Sequence, residues 1–359
     1  MSRRPLAQIN TSALLHNFQR IRDVAPQSKV LAVLKANAYG HGLLAVAAQL
    51  RDAGAFGVAR IDEALALRAG GIVKPIVLLE GFFHADELSQ IVASNLQVVV
   101  HHPAQVEALL KAELESPIHV WLKIDSGMHR LGIYPEEFSK VYQQLSQSNN
   151  VLKPMRLMTH FSCADEPNNP TTLRQLELFQ QTIQGCEGEL SLANSAAVLA
   201  WPQCHGDWVR PGLALYGVSP MEQGRAVEHG LQPVMTFSSS VIAVREVKAG
   251  DAVGYGASWI APKHTRLAVV AIGYGDGYPR NAPCGTPVLI NGKRYPIVGR
   301  VSMDMTTVDI GDDDIRHGDQ VVLWGDELPV EEIAELVQTI PYELLCNITS
   351  RVQFRYISD

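Results

Sequence analysis

The stretch Val30-Leu31-Ala32-Val33-Leu34-Lys35-Ala36-Asn37-Ala38-Tyr39-Gly40-His41-Gly42 decides how the rest of the chain is read. Its first five residues form a short continuous apolar run, the mark of a strand buried on both faces. Lys35 ends the run, which puts an amine at the carboxyl edge of a sheet, where α/β proteins place their chemistry. Tyr39 adds a hydroxyl, and Gly40 and Gly42 let the backbone turn and approach a ligand before the helix that Leu43 begins. An amine, a hydroxyl and bare amides together suit a phosphorylated aldehyde cofactor.

Two other readings stand beside this one. A lysine after a buried strand is often only a solvated cap, because its stem lies along apolar surface while the ammonium stays in water. Gly40-His41-Gly42-Leu43-Leu44-Ala45 also fits the G-x-G-x-x-A dinucleotide fingerprint, with Asp62 and Glu63 roughly 20 residues beyond. In that fingerprint the first glycine turns directly off the strand, whereas here Ala36 to Tyr39 intervene.

Working outward, apolar or β-branched runs recur at Val30 to Leu34, Ala55 to Ala59, Pro75 to Leu79, Gln97 to Val100, His119 to Ile124, Met155 to Thr159, Glu189 to Ala193 and Trp208 to Leu215. Amphipathic stretches separate them, among them Asp62 to Ala69, Pro103 to Leu110, Pro135 to Leu145 and Thr171 to Ile183. Eight strand and helix units predict an α/β fold of the (β/α)₈ TIM-barrel type over residues 10–229. The polar residues sit at the carboxyl ends of the runs, at Lys35, Arg60, Glu80, His101, Lys123, His160, Asn194 with Ser195, and Arg210. A barrel gathers these ends on one face. Arg60, Glu80 and His101 read as simple strand stops, and Lys123, His160 and Arg210 as functional.

Ahead of the barrel, Pro5 to Ile9 reads as a lone strand, followed by a helix capped by Asn10 or Thr11 with Leu14, Leu15, Phe18 and Ile21 on one face. From Leu231 the texture becomes short β-rich runs at Val234 to Val247, Arg266 to Ile272, Val288 to Ile290, Tyr295 to Val298, Thr306 to Ile310, Gln320 to Trp324 and Val352 to Ile357. Asn291-Gly292 is a hairpin signal, and Val330 to Val337 is the one clear helical stretch. A mostly β C-terminal domain over residues 230–359, joined by the strand in residues 1–9, is expected.

The chain has 359 residues, 47% hydrophobic and 19% charged, enough for two domains with substantial cores. A net charge of −7 without a basic block argues against nucleic acid as a partner. No apolar segment resembles a signal peptide or a membrane span, so a cytoplasmic protein without membrane partners is expected. The five cysteines lie far apart with no C-x-x-C pair, which fits reduced thiols and no metal site.

Lys35-Ala36-Asn37-Ala38-Tyr39-Gly40-His41-Gly42 resembles the pyridoxal-phosphate attachment motif of alanine racemases, and the similarity runs along essentially the whole chain. The resemblance implies pyridoxal 5'-phosphate held as a covalent imine on Lys35, which also serves as one racemising base. It implies the opposite base in Tyr255, within Val253-Gly254-Tyr255-Gly256-Ala257-Ser258, supplied by the partner subunit of a homodimer with shared active sites. Arg210 matches the partner of the pyridine nitrogen. Tyr39, Ser195, Gly212, Leu213 and Tyr342 match phosphate-binding positions, and His160 and Asn194 belong to the cofactor's surroundings. Arg130, in the segment from Lys123 to Gly132, matches the contact to the substrate carboxylate. Met303, Asp304 and Tyr274 match the wall and entrance of the site that the partner donates, and Lys123 matches a lysine carbamylated in some relatives. Leu34 stands where the family more often has valine or isoleucine, a volume-tolerant change. The implied activity is interconversion of L- and D-alanine, supplying bacterial peptidoglycan.

The residues themselves support parts of this. Gly212 and Leu213 follow the eighth run, where barrels commonly bind phosphate, and Asn194-Ser195 adds a hydroxyl and a helix start, although a turn glycine and a capping serine read the same. A guanidinium offers donors only, so a pyridine nitrogen facing Arg210 stays unprotonated and racemisation is favoured over transamination. Tyr255 between two glycines also reads as a turn residue. An ordinary phenol is a weak base near neutrality and needs basic neighbours, for which His160 and Arg130 are nearest in function. Three rivals remain: an amino-acid decarboxylase on the same barrel, a non-enzymic pyridoxal-phosphate carrier, and a nicotinamide-dependent dehydrogenase. No Gly-Pro-Thr-Cys-Asp-like stretch lies near the C-terminus to serve the first, and the second has no use for Tyr255 or a second domain.

Overall fold

The computed structural model describes residues 4–358 and divides into two compact units. One comprises 17–215 with 220–224, the other 4–16, Tyr216–Ser219 and 225–358. Strand β1 (Leu6–Asn10) belongs to the second unit and leads into the helix Thr11–Val24, capped by Asn10, whose Oδ1 accepts the Ala13 N–H at 3.0 Å. Leu14, Phe18 and Ile21 are buried on this helix as expected, but Leu15 is 43% exposed. At 100° per residue it falls off the buried stripe.

The first unit is the expected closed barrel of eight parallel strands. These are β2 (Lys29–Val33), β3 (Ala55–Val58), β4 (Ile76–Leu78), β5 (Leu96–Val100), β6 (Ile118–Lys123), β7 (Val151–Met158), β8 (Leu190–Asn194) and β9 (Trp208–Arg210). Closure is made where Val30 pairs with Val209. Most strand positions are buried, as the continuous apolar runs require. Two barrel strands differ from the sequence reading by more than one residue at an end. β9 stops at Arg210 instead of reaching Leu215, since Pro211 has no N–H to continue a ladder, and a 3₁₀ turn follows at Leu213–Tyr216. β7 begins earlier, at Val151, and its pairing with β6 slips between His119↔Leu152 and Trp121↔Arg156.

Toward the amino ends of the strands, the Arg156 guanidinium lies 4.9 Å from the Trp121 ring and 5.4 Å from the Trp208 ring, and donates to Glu189 at 2.8 Å and Gln97 at 3.1 Å. Lys29 donates to the same carboxylate at 2.5 Å. Burial opposes ionisation of Glu189, but the bonds from Lys29, Arg156 and Trp208 outweigh it and hold its pKa at about 2. The cation–π stack and ion pairs close this end with satisfied polar groups.

The second unit is mostly β, as expected. Its strands are β10 (Met235–Val247), β11 (Ala252–Val253), β12 (Trp259–Ile260), β13 (Thr265–Val270), β14 (Pro287–Ile290), β15 (Lys293–Pro296), β16 (Thr306–Gly311), β17 (Gln320–Trp324) and β18 (Gln353–Ile357). The main sheet runs β15-β14-β17-β10-β1-β18, and the far half of the long β10 pairs with β13, which pairs with β16. β1 lies antiparallel to β10 and parallel to β18. Asn291 and Gly292 both take positive φ, 51° and 76°, and close the β14–β15 hairpin. Beside the expected helix, Val330–Leu336, a second short helix occurs at Pro341–Cys346. No helix among the described residues is long and apolar enough to cross a membrane.

Candidate active site

Lys35 is exposed, two residues beyond β2, where the fully buried Leu34 fixes the backbone. The turn after it begins earlier than its glycines suggest. Ala36, Asn37, Ala38 and Tyr39 all have φ between 51° and 55°, four left-handed non-glycine residues in succession. Each costs about 1–2 kcal/mol relative to right-handed backbone, so surrounding bonds must enforce the conformation. Leu43 N donates to Asn37 Oδ1 at 2.9 Å. His41 Nδ1 lies 2.8 Å from the Tyr39 carbonyl and 3.1 Å from that of Ala38, so the ring carries its proton there. Burial lowers the His41 pKa to about 4, against the opposing effect of these carbonyls, and the ring is neutral. Glu63 accepts the Ala36 N–H at 2.7 Å.

The turn delivers Tyr39, which is buried, to the segment after β9, the strand next to β2 in the barrel. A β-carbon at position 212 would stand 2.5 Å from the Tyr39 hydroxyl oxygen and 3.1 Å from its Cζ, so the absence of a side chain at Gly212 makes room for the phenol. The buried Ser195 hydroxyl accepts from Gly212 N at 2.8 Å and Ala214 N at 3.3 Å. Tyr39, Ser195 and Gly212 thus converge, with Leu213 next in the chain, and bring two hydroxyls and a run of backbone amides to one spot. Asn194, at the end of β8, caps the helix Ser195–Ala200, its Oδ1 accepting from Ala197 N at 3.0 Å.

Arg210, at the end of β9, is buried and held on several sides. It donates to Ser191 Oγ at 2.9 Å and to the carbonyls of Thr159 at 2.7 Å and Leu192 at 3.2 Å, with His160 Nδ1 at 3.4 Å. Burial lowers its pKa to about 10, which leaves it cationic at neutral pH. His160 is held well below the usual imidazole value by burial and then by the charges of Arg210, Lys123, Arg130 and Lys35. It is neutral and meets the guanidinium as an acceptor. Lys123, buried at the end of β6, has its pKa lowered to about 8 by burial and then by Arg210 and Arg130. Arg130 is exposed on the following loop, which Asp125 shapes by accepting the Gly127 and His129 amides at 3.0 Å each.

The remaining candidates lie in the second unit. Tyr255 is 70% exposed, in a turn between Gly254 and Gly256, both with positive φ. A β-carbon on Gly254 would stand 3.6 Å from Arg300 N, which places this turn against the segment leading to Met303 and Asp304. Met303 is exposed, and Asp304 accepts from Arg351 at 2.7 Å. Tyr274 and Gly275 donate their N–H groups to Ser302 at 3.1 Å and Met303 at 2.9 Å, tying Tyr274 to the same segment. Tyr342 sits on the short helix Pro341–Cys346. Tyr255, Tyr274, Met303 and Asp304 therefore lie along linked loops. Sequence reasoning passed over Glu63 and His41, which shape the Lys35 turn, and Ser191 and Thr159, which hold Arg210. In the sequence Glu63 stands out only within the dinucleotide fingerprint. That fingerprint has no counterpart here, because the sheet is a closed barrel and Gly40 follows a left-handed turn.

Comparison with known proteins identifies two successive family matches: Alanine racemase, N-terminal domain, over residues 9–220, and Alanine racemase, C-terminal domain, over 234–356. The chain is 58% identical over 351 residues to an alanine racemase of Vibrio cholerae, covering 98% of this chain and 97% of that one. Its structure resembles the biosynthetic alanine racemase from Pseudomonas aeruginosa, with a TM-score of 0.96, 46% identity and coverage of 99% and 100% of the two chains. It also resembles an alanine racemase from Bartonella henselae with covalently bound pyridoxal phosphate, with a TM-score of 0.90, 30% identity and coverage of 99% of each chain.

Proposed function

This chain belongs to the alanine racemase family, and on that premise we propose that Lys35 and Tyr255 are the two acid–base groups with which it interconverts L- and D-alanine. Pyridoxal 5'-phosphate, bound covalently to the Lys35 amine, supplies the electron sink that makes the substrate α-hydrogen acidic. The residues fit that group. Tyr39, Ser195, Gly212 and Leu213, with Tyr342, would hold the phosphate; His160 and Asn194 would line the pocket, and Arg210 would face the ring nitrogen. The observation that carries the reading is the convergence of the Tyr39 hydroxyl, the Ser195 hydroxyl and the Gly212 amide beside a fully donor-type Arg210, on the barrel edge that also bears Lys35.

Racemisation needs one group to remove a proton from one face of Cα and a second to return it to the other. Lys35 serves one face and Tyr255 of the partner subunit the other, with both able to act in either role as the direction reverses. Arg130 binds the substrate carboxylate and fixes which face meets which base. Lys123, buried against Arg130 and Arg210, supports that end of the site; Met303, Asp304 and Tyr274, given by the partner, wall the entrance. Arg210 can only donate, so it would leave the ring nitrogen unprotonated, a state that favours proton return to Cα over transamination. We place the enzyme in the cytoplasm as a homodimer, supplying D-alanine for peptidoglycan; that none of the five cysteines is in a disulfide agrees with that compartment.

The test is chemical. Borohydride treatment of the holoprotein followed by peptide mapping should leave the reduced cofactor on Lys35, and Lys35→Ala should abolish turnover in both directions. Label on another residue, or near-normal turnover by the variant, overturns the assignment.

A further inference from the structure

We propose that Glu63 is a positioning residue for racemisation, its carboxylate clamping the left-handed turn that carries Lys35 and Tyr39 to the end of β3. The proposal rests on the roles given above to those two residues. One carboxylate oxygen accepts Ala36 N–H at 2.7 Å; the other accepts Ala59 N–H at 2.8 Å and Arg60 N–H at 3.3 Å. Ala36 is the first left-handed residue after Lys35, so the bond acts where the chain departs from ordinary backbone. Asn37 and His41 brace the turn from inside, through Leu43 N and the carbonyls of Ala38 and Tyr39. Glu63 braces it from a different strand and helix unit, and so fixes where the turn sits as well as its shape.

The chemistry requires both carboxylate oxygens. Three N–H groups converge on them from opposite sides, and a carboxamide turns an NH₂ toward one of these sides, donor against donor. Glu63 is half-buried, whereas the adjacent Asp62 is exposed and pairs with Arg60 at 3.3 Å. Asp62 shares the first turn of the helix Ile61–Ala69 and any effect on its dipole, so it serves as the control for a purely helical role.

The experiment compares full-length holoprotein bearing Glu63→Gln with Asp62→Asn and the unsubstituted chain, by hydrogen exchange of peptides covering 35–43 and 61–69 and by steady-state kinetics with L-alanine. Glu63→Gln should speed exchange in 35–43 about tenfold or more. It should lower kcat about tenfold while KM changes less than about threefold, since the turn places a reacting group and not the substrate site. Asp62→Asn should match the unsubstituted chain in both. Faster exchange confined to 61–69, unchanged kcat, or an equal effect from Asp62→Asn overturns the proposal. Should Glu63→Gln fail to fold, Glu63→Asp keeps the charge but shortens the reach, and must show the same pattern. Lys35→Ala is run alongside: if it keeps turnover, the role of Lys35 falls, while exchange in 35–43 still decides whether Glu63 clamps the turn.

Discussion

The hydroxyl of Tyr39 occupies the space that a side chain at Gly212 would need, 2.5 Å from where its β-carbon would stand. Neither residue can be altered without the other responding. Gly212→Ala should fold, since the obstacle is the tip of a side chain, but it displaces the phenol. Tyr39→Phe removes the same donor directly. Each should weaken pyridoxal-phosphate affinity roughly 10-fold or more, the scale of one hydrogen bond to a charged group. The double variant should be little worse than either single one, as measured by cofactor titration of the apoprotein. Additive losses would show that the two do not share one donor.

With Lys35 and Tyr255 assigned to different subunits of the proposed dimer, two inactive proteins should complement each other. In a mixed dimer of Lys35→Ala and Tyr255→Phe, one site carries both lesions and the other carries neither. Random subunit exchange makes half the dimers mixed, so activity should return to about one quarter of the unsubstituted level. No recovery after demonstrated exchange would place Tyr255 within its own chain's site, or outside the chemistry.

Arg210→Glu should slow racemisation and raise the ratio of pyruvate formed to alanine racemised by about tenfold or more. A carboxylate accepts where the guanidinium donates, which favours a protonated ring nitrogen and a longer-lived deprotonated substrate. An unchanged ratio removes donor-only character as the reason for fidelity.

His41 should give the barrel an acid-sensitive component of stability. Its pKa falls from 6.5 to about 4 on burial, so between those values the unfolded chain takes up a proton that the native state refuses. The contribution is complete above pH 6.5 and is lost progressively as pH falls toward 4, reaching on the order of 3 kcal/mol. His41→Gln keeps a donor for the Ala38 and Tyr39 carbonyls but has nothing to titrate. Urea midpoints for this variant should depend less on pH between 6.5 and 4; an undiminished slope would assign it to other groups.

The barrel was legible because buried parallel strands appear as apolar runs, and Lys35, Lys123, His160 and Arg210 mark their ends. Asn291-Gly292 was legible because two positive φ angles in succession select those residues. The turn after Lys35 was not, since Ala36-Asn37-Ala38-Tyr39 contains no residue that favours left-handed backbone except asparagine. Its conformation is imposed by bonds from Glu63 and His41, and such constraint leaves no local pattern. The helix Pro341–Cys346 was too short for periodicity to register, although Pro341 at its first position was a usable sign. The bounds of Tyr255 and Tyr274 are set by loops, where spacing carries little information.

The place of β1 in its sheet bears on biosynthesis. Leu6–Asn10 lies between β10 and β18, and the hydroxyl of Thr11 donates to the carbonyl of Ile357 at 2.8 Å, 346 positions away. A ribosome releases this strand before the barrel and its β18 neighbour after it. Residues 17–215, with their short-range strand and helix pairings, emerge complete in between and can close while the leading strand still waits. Until β18 arrives, β1 keeps a bare edge open to pairing with another chain, so the nascent protein is most exposed to misassembly at a strand made well before its neighbour.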